Sequence, residues 1–248
     1  MRYLCLLAFM GVLLSSASAG ADENAPGTPV RPAPVQGWEA AYDEHVRTEV
    51  QKAPTLLELT ASRMTNICPK WGNLSREQRI QFYADLLYAI AKPESDRNRL
   101  VMFNETGIID PKTKKQLIDP VTGYPIISEG LLQLSYADLK SYKAKDGLGC
   151  AFDWTKDKEA FLEDLNANAG KKSFKSAHPE RTILDPYVQL TCGIHILKVR
   201  MQKKPTEDFL AAAGRYWSTM RMTAANNKPN PAFKQVLREL DARKSPCF

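Results

Sequence analysis

The segment Ser75-Arg76-Glu77-Gln78-Arg79-Ile80-Gln81-Phe82-Tyr83-Ala84-Asp85-Leu86-Leu87-Tyr88-Ala89-Ile90-Ala91-Lys92-Pro93-Glu94-Ser95 decides the fold. Ser75 and Gln78 have the spacing of a capping box, in which each side chain takes up a backbone donor left free at a helix start. Ile80, Tyr83, Leu87 and Ile90 then recur at the three- and four-residue steps of one helix face. Glu94 lies four residues beyond Ile90 and continues that apolar stripe with a carboxylate. Pro93 lacks an N–H, so the helix should kink or end there. A carboxylate on a desolvated face favours its neutral form, and the negative end of a helix pushes in the same direction. Glu94 is therefore the first candidate for a proton donor at neutral pH.

Outward from this helix the chain reads as mainly α with a small β insertion. Residues 38–64 have helical composition and are expected to form one or two helices packing against the rest. After the central helix, residues 99–128 change character. Leu100 to Phe103, Gln116 to Ile118 and Tyr124 to Ile127 are short and strand-like, separated by the turn formers Asp110-Pro111 and Asp119-Pro120. A two- or three-stranded sheet or an ordered loop is expected there. Helix is expected again from Glu129 to Lys143 and from Asp157 to Asn166. Asp185-Pro186 is an N-cap followed by a first-turn proline. The helix after it is apolar around much of its circumference, which fits a buried central element. Further helices are expected from Thr206 through Phe209 to Trp217, and from Asn230-Pro231 onward. No internal repeat is present.

The chain opens with Arg2, an apolar run from Leu4 to Leu14 and the small residues Ala17-Ser18-Ala19. This is the pattern of an export signal, with cleavage after Ala19 or alternatively Ala21. Residues 20–36 are proline-rich and read as a linker, 37–66 as an N-terminal helical segment and 67–248 as the catalytic domain. Cys5 does not sit in a lipobox, and no later stretch is long and apolar enough to span a membrane. The four remaining cysteines, Cys68, Cys150, Cys192 and Cys247, suggest two disulfides in an oxidising compartment, with three possible pairings. Placement in the chain favours Cys150–Cys192, tying a loop to the buried helix, and Cys68–Cys247, closing the domain near its ends. Lys and Arg number 34 against 28 Asp and Glu. That modest excess suits an anionic envelope polymer but is also a common solubility device. The scattered basic residues argue against nucleic acid.

Several strings, in order, sharpen the reading. Glu94-Ser95 with Asn98, then Gly130-Leu131-Leu132-Gln133, then the segment from Asp185 to Leu197, then Ala211 to Trp217, resemble the successive motifs of soluble lytic transglycosylases and goose-type lysozymes. The cysteine pattern is similar to that of an exported branch of this superfamily. The resemblance covers Cys68 to about Arg221. It implies a lysozyme-like helical domain with a groove for peptidoglycan strands, no cofactor, no metal, and no partner beyond the glycan; a monomer is expected. It implies Glu94 as acid/base, Ser95 orienting the glutamate or the sugar, Gly130 admitting the glycan to the backbone, Gln133 holding an acetamido group and Tyr216 as the motif tyrosine. The expected product is a 1,6-anhydro-muramic end, since no second carboxylate stands out. Hydrolysis in the manner of lysozyme, a non-catalytic wall-binding protein and a helical interaction protein are the alternatives. Location in the periplasm or outside the cell follows from the leader.

The sequence departs from the family strings at Pro93, Asp96, Ser135-Tyr136 and Arg215-Tyr216-Trp217. His45, His178 and His195 are too scattered for a metal site, and His195 reads as a packed helix histidine. Trp38, Trp71 and Trp154 read as packing residues, with Trp217 the one tryptophan inside a matched motif. Glu105, Asp110, Asp119 and Glu129 are conceivable second carboxylates. Turn capping explains Asp110 and Asp119, and a helix start explains Glu129.

Overall fold

A computed structural model describes residues 37–106, 108–110, 113–144, 147–223 and 228–248. The expected leader and the linker lie outside them. Residues of the N-terminal segment form helices α1 (Ala40–Gln51), α2 (Pro54–Leu57) and α3 (Ala61–Met64). Next comes α4 (Arg76–Ser95), which starts at the expected capping box: Gln78 N donates to Ser75 Oγ (3.2 Å), and Ser75 N donates to Gln78 Oε1 (2.9 Å). It is buried on nearly every side, through Ile80, Phe82, Tyr83, Leu86, Leu87 and Ile90. Such a helix needs neighbours all around it, and α1 and the C-terminal helix α9 (Pro231–Ala242) supply two of them. A second buried helix, α7 (Pro186–Lys203), packs on α1 and α2. Asp185 caps it, accepting from the backbone N–H groups of Tyr187 and Val188. The fold is mainly α with one small antiparallel sheet.

Helix α4 runs two residues past Pro93. It closes in a left-handed turn at Asp96 and Arg97 (φ 54° and 56°), where Asp96 N donates to Lys92 O and Arg97 N to Ala91 O. Neither residue is glycine, so this turn carries backbone strain. The sheet has the order β2-β1-β3, with β1 Val101–Asn104, β2 Ile127–Glu129 and β3 Ser173–Lys175. Its third strand thus comes from beyond the expected insertion. Gln116 and Ile118 make only single bridges, to Ile109 and Pro125.

Two expected helices are corrected. Residues 129–143 do not form one: Glu129 ends β2, and only α5 (Asp138–Ser141) is helical. The reason is that Glu129 and Leu134 exchange backbone hydrogen bonds across a tight loop (2.7 and 2.9 Å), with positive φ at Gly130 and Gln133. The helix expected from Thr206 to Trp217 is only α8 (Phe209–Ala213), capped by Asp208. Gly214 closes it, and the chain then turns into a single 3-10 turn, Ser218–Met220. The helix α6 (Trp154–Ala167) is longer than expected at its N-terminus, because Asp153 caps it.

Under the sheet lies a buried ionic cluster. Arg181, 2% exposed, donates to Glu129 Oε2 (2.5 Å) and Asp164 Oδ2 (3.1 Å), joining β2 to α6. The disulfides are Cys68–Cys247 and Cys150–Cys192. No helix among the described residues is long and apolar enough to cross a membrane. The Cys68–Cys247 bond spans 179 residues of chain. Replacing both cysteines with serine is expected to destabilise the fold by about 2–4 kcal/mol, read as a lower urea midpoint at unchanged slope.

Candidate active site

Glu94 sits in the last turn of α4, half-buried, in the wall of a cleft of about 620 Å³. Thr219 in the 3-10 turn donates its hydroxyl to Glu94 Oε1 at 2.6 Å. Burial pushes the Glu94 carboxyl from its ordinary 4.5 up to about 7; the Thr219 bond opposes this, and the negative charge of Glu105 adds to it. Desolvation wins, because one neutral hydroxyl replaces only part of the hydration an anion loses. A carboxyl poised near neutrality can donate a proton and take it back.

Two more carboxylates line the same cleft. Glu105, just after β1, accepts from Ser128 Oγ on β2 at 2.8 Å. Asp138, at the start of α5, accepts from Ser135 N (2.9 Å) and from the Tyr216 hydroxyl (2.5 Å). Burial drives Asp138 up to about 6, against the pull of these hydrogen bonds. Asp138 is not among the residues expected from the sequence, since its partners Ser135 and Tyr216 meet it only in the fold. Asp119 and Asp110 cap turns: Asp119 accepts from the N–H groups of Val121, Thr122 and Ala137, and Asp110 from that of Thr113. Glu129 belongs to the Arg181 cluster rather than to a helix start.

Of the expected binding residues, Gln133 and Tyr216 line the cleft, and Ser95 and Gly130 do not. Gln133 donates its amide to the carbonyls of Val101 and Gly130 (3.2 and 2.9 Å). Its side-chain oxygen has no donor among the described residues. Tyr216 is held by Asp138 and packs edge-on against Tyr142 and Trp217.

The role expected for Ser95 is corrected: it is buried, and its hydroxyl donates to Ala91 O and Leu131 O (3.1 and 2.9 Å), tying the end of α4 to the Gly130–Leu134 loop. Gly130 is corrected too. It has φ 77°, and a Cβ there would fall 2.4 Å from Gln189 Nε2. The Gln189 side chain of α7 thus occupies the space a Cβ would take. Trp217 is 2% exposed and donates to Leu132 O (2.9 Å), so its ring braces the loop.

Compared by sequence, the chain matches no family model and no curated protein. Compared by structure, it is similar to Bd0314 DslA of Bdellovibrio. A glutamate-to-glutamine mutant of that protein superposes with TM-score 0.55 at 22% identity, over 84% of this chain and 91% of that one. A second crystal form of the wild type gives 0.54 and 24% over the same shares. Likeness at this identity is likeness of fold.

Two predictions follow from the site's physics. Glu94 titrates higher in the fold than in the unfolded chain, so between about pH 4.5 and 7 the fold binds the extra proton, and rising pH works against folding. Glu94→Gln should match the native protein below pH 4.5, then grow more stable than it as pH rises, levelling off above about 7. Thermal melts across that range check this; a constant difference contradicts it. Gly130→Ala should lower stability by about 2 kcal/mol or more, through strain at positive φ and collision with Gln189. A purely sugar-facing glycine would instead change substrate affinity at constant urea midpoint.

Proposed function

We propose that this protein cleaves the glycan strands of peptidoglycan at the bond between N-acetylmuramic acid and N-acetylglucosamine, with Glu94 as general acid. The observation that carries this reading is a glutamic acid held near neutrality at the end of a buried helix, in a cleft it shares with Gln133, Asp138 and Tyr216. The ordered resemblance of the Glu94-Ser95, Gly130 to Gln133 and Ala211 to Trp217 segments to lytic transglycosylases and lysozymes supports it. The two disulfides suit an exported location, because such bonds persist outside the reducing cytosol.

In the first step Glu94, protonated, donates to the glycosidic oxygen as the bond to the muramic acid carbon breaks and positive charge builds on the ring. Gln133 offers its carbonyl oxygen to the acetamido N–H and limits rotation of the sugar. Thr219 keeps the carboxyl oriented and stabilises the carboxylate left after transfer. Glu94 then accepts a proton, either from the sugar's own 6-hydroxyl, giving an anhydro product, or from water, giving a reducing end.

The expected anhydro outcome rested on the family resemblance and on no second carboxylate having a strong claim. Glu105 lines the same cleft and raises Glu94 electrostatically, which favours the hydrolytic route: a second carboxylate can stabilise the charged ring or activate water.

Digestion of purified sacculi with product analysis by mass spectrometry tests both statements. Glu94→Gln keeps the shape and removes the proton, so release of fragments should fall by about 10²–10⁴-fold. Near-native digestion by that variant, or native protein that binds sacculi and releases nothing, removes the glycosidase reading. Reducing-end fragments establish hydrolysis, and Glu105→Gln should then also slow release. Anhydro ends with an indifferent Glu105→Gln variant restore the transglycosylase outcome.

A further inference from the structure

The catalytic cleft shares one side chain, Arg221, with a neighbouring cavity of about 410 Å³. That second cavity is walled largely by Leu210, Met220 and Met222, and no acidic residue lines it. Arg215, also on its wall, is already neutralised by two hydrogen bonds to Glu207. Arg221 is not. Its Nε donates to Gly214 O at 2.6 Å, and its terminal nitrogens have no acceptor among the described residues. Gly214 makes this placement possible, since a Cβ there would lie 3.0 Å from Arg221 Cγ and 2.8 Å from Leu210 O. The shaft of Arg221 is thus pinned while the fork stays open to solvent. Met222 is 53% exposed, an apolar and adaptable side chain presented beside that fork.

Charge inside the cleft gives this arrangement a meaning. Glu94, Glu105 and Asp138 line it, and Arg221 carries the one positive charge among its lining residues. An anionic appendage on a bound strand finds its one positive partner along that wall at Arg221. Muramic acid bears such an appendage: a peptide stem of small apolar residues with free carboxylates.

We propose that Arg221 and the adjoining apolar cavity bind the peptide stem of the muramic acid unit next to the cleaved bond, so that the substrate is stem-bearing rather than denuded glycan. The guanidinium pairs with a stem carboxylate, and Leu210, Met220 and Met222 cover its small side chains. This rests on the glycan-cleaving reading, and the test separates the two.

Native protein, Arg221→Ala and Met222→Glu are compared on sacculus strands with stems and on the same strands stripped by an amidase. Met222→Glu leaves the Arg221 to Gly214 bond intact and sets a like charge beside the stem. Native kcat/KM is expected to be about tenfold higher on stem-bearing strands, the loss of one charge-assisted hydrogen bond being worth about that factor. Both variants should raise KM on stem-bearing strands about tenfold more than on stripped ones, with kcat little changed. Equal native kcat/KM on the two substrates, or variants that weaken both alike, overturns the proposal while leaving the glycosidase reading intact. If native protein cuts neither substrate, that reading fails. The cavity is then judged by NMR titration with a soluble muramyl dipeptide: shifts at Met222 that vanish in Arg221→Ala uphold it, and their absence overturns it.

Discussion

The candidate site hangs on one buried amide. Gln189, fully enclosed on α7, accepts from Leu132 N (3.0 Å) and donates to the carbonyls of Glu129 (2.9 Å) and Ile183 (2.6 Å). These contacts use backbone groups that a helix through residues 129–143 would need for itself, so the segment folds as a tight loop. Because that loop is held, Gln133 faces the cleft, Leu131 receives Ser95, and Leu132 receives the Trp217 indole. One side chain therefore couples the end of α4, the loop and the segment that carries Thr219. Leaving its partners unsatisfied in the interior would cost about 1–3 kcal/mol for each group.

The same scaffold explains how a carboxyl is kept out of water at the surface end of a helix. Helix α4 is surrounded along most of its length, so its last turn emerges beneath the loop rather than into solvent. Pro93 lines the cleft beside Glu94, and lacking an N–H it offers the carboxylate no backbone donor. Thr219 is the single side chain that hydrogen-bonds Glu94 among the described residues. Few donors and much burial leave the neutral acid competitive at neutral pH. Strained backbone collects in the same place: Asp96, Arg97 and Gln133 all have positive φ without being glycine. Such strain persists where surrounding contacts over-determine it, and the Gln189 and Ser95 hydrogen bonds supply that determination.

Periodicity and capping made α4, α7 and α9 legible, because those helices start at side chains whose hydrogen bonds are local: Ser75 with Gln78, Asp185, and Asn230. Glu94 was legible for the same reason, as a carboxylate placed by a helix period. What the sequence hid is non-local. The reversal after Glu129 depends on Gln189, 60 residues away, and no window of neighbouring residues contains that information. Thr219 lies 125 residues from its partner, and Asp138 is 78 residues from the Tyr216 hydroxyl it accepts. Ser95 and Gly130 carry non-local contacts of the same kind, packing between α4, the loop and α7.

The cleft's three carboxyls do not share one environment, and that difference bears on mechanism. Glu94 has a single hydroxyl donor and is mostly desolvated, so its proton is the one most readily held near neutrality. Asp138 is also driven upward, but a backbone N–H and the Tyr216 hydroxyl both point at one of its oxygens. Ionised, it anchors Tyr216 and the start of α5, which makes it a brace for the cleft wall. Glu105, just after β1, accepts from the Ser128 hydroxyl, its one side-chain partner among the described residues. Glu94 at the helix end and Glu105 just after β1 thus meet in one cleft while held by different partners, Thr219 for the first and Ser128 for the second.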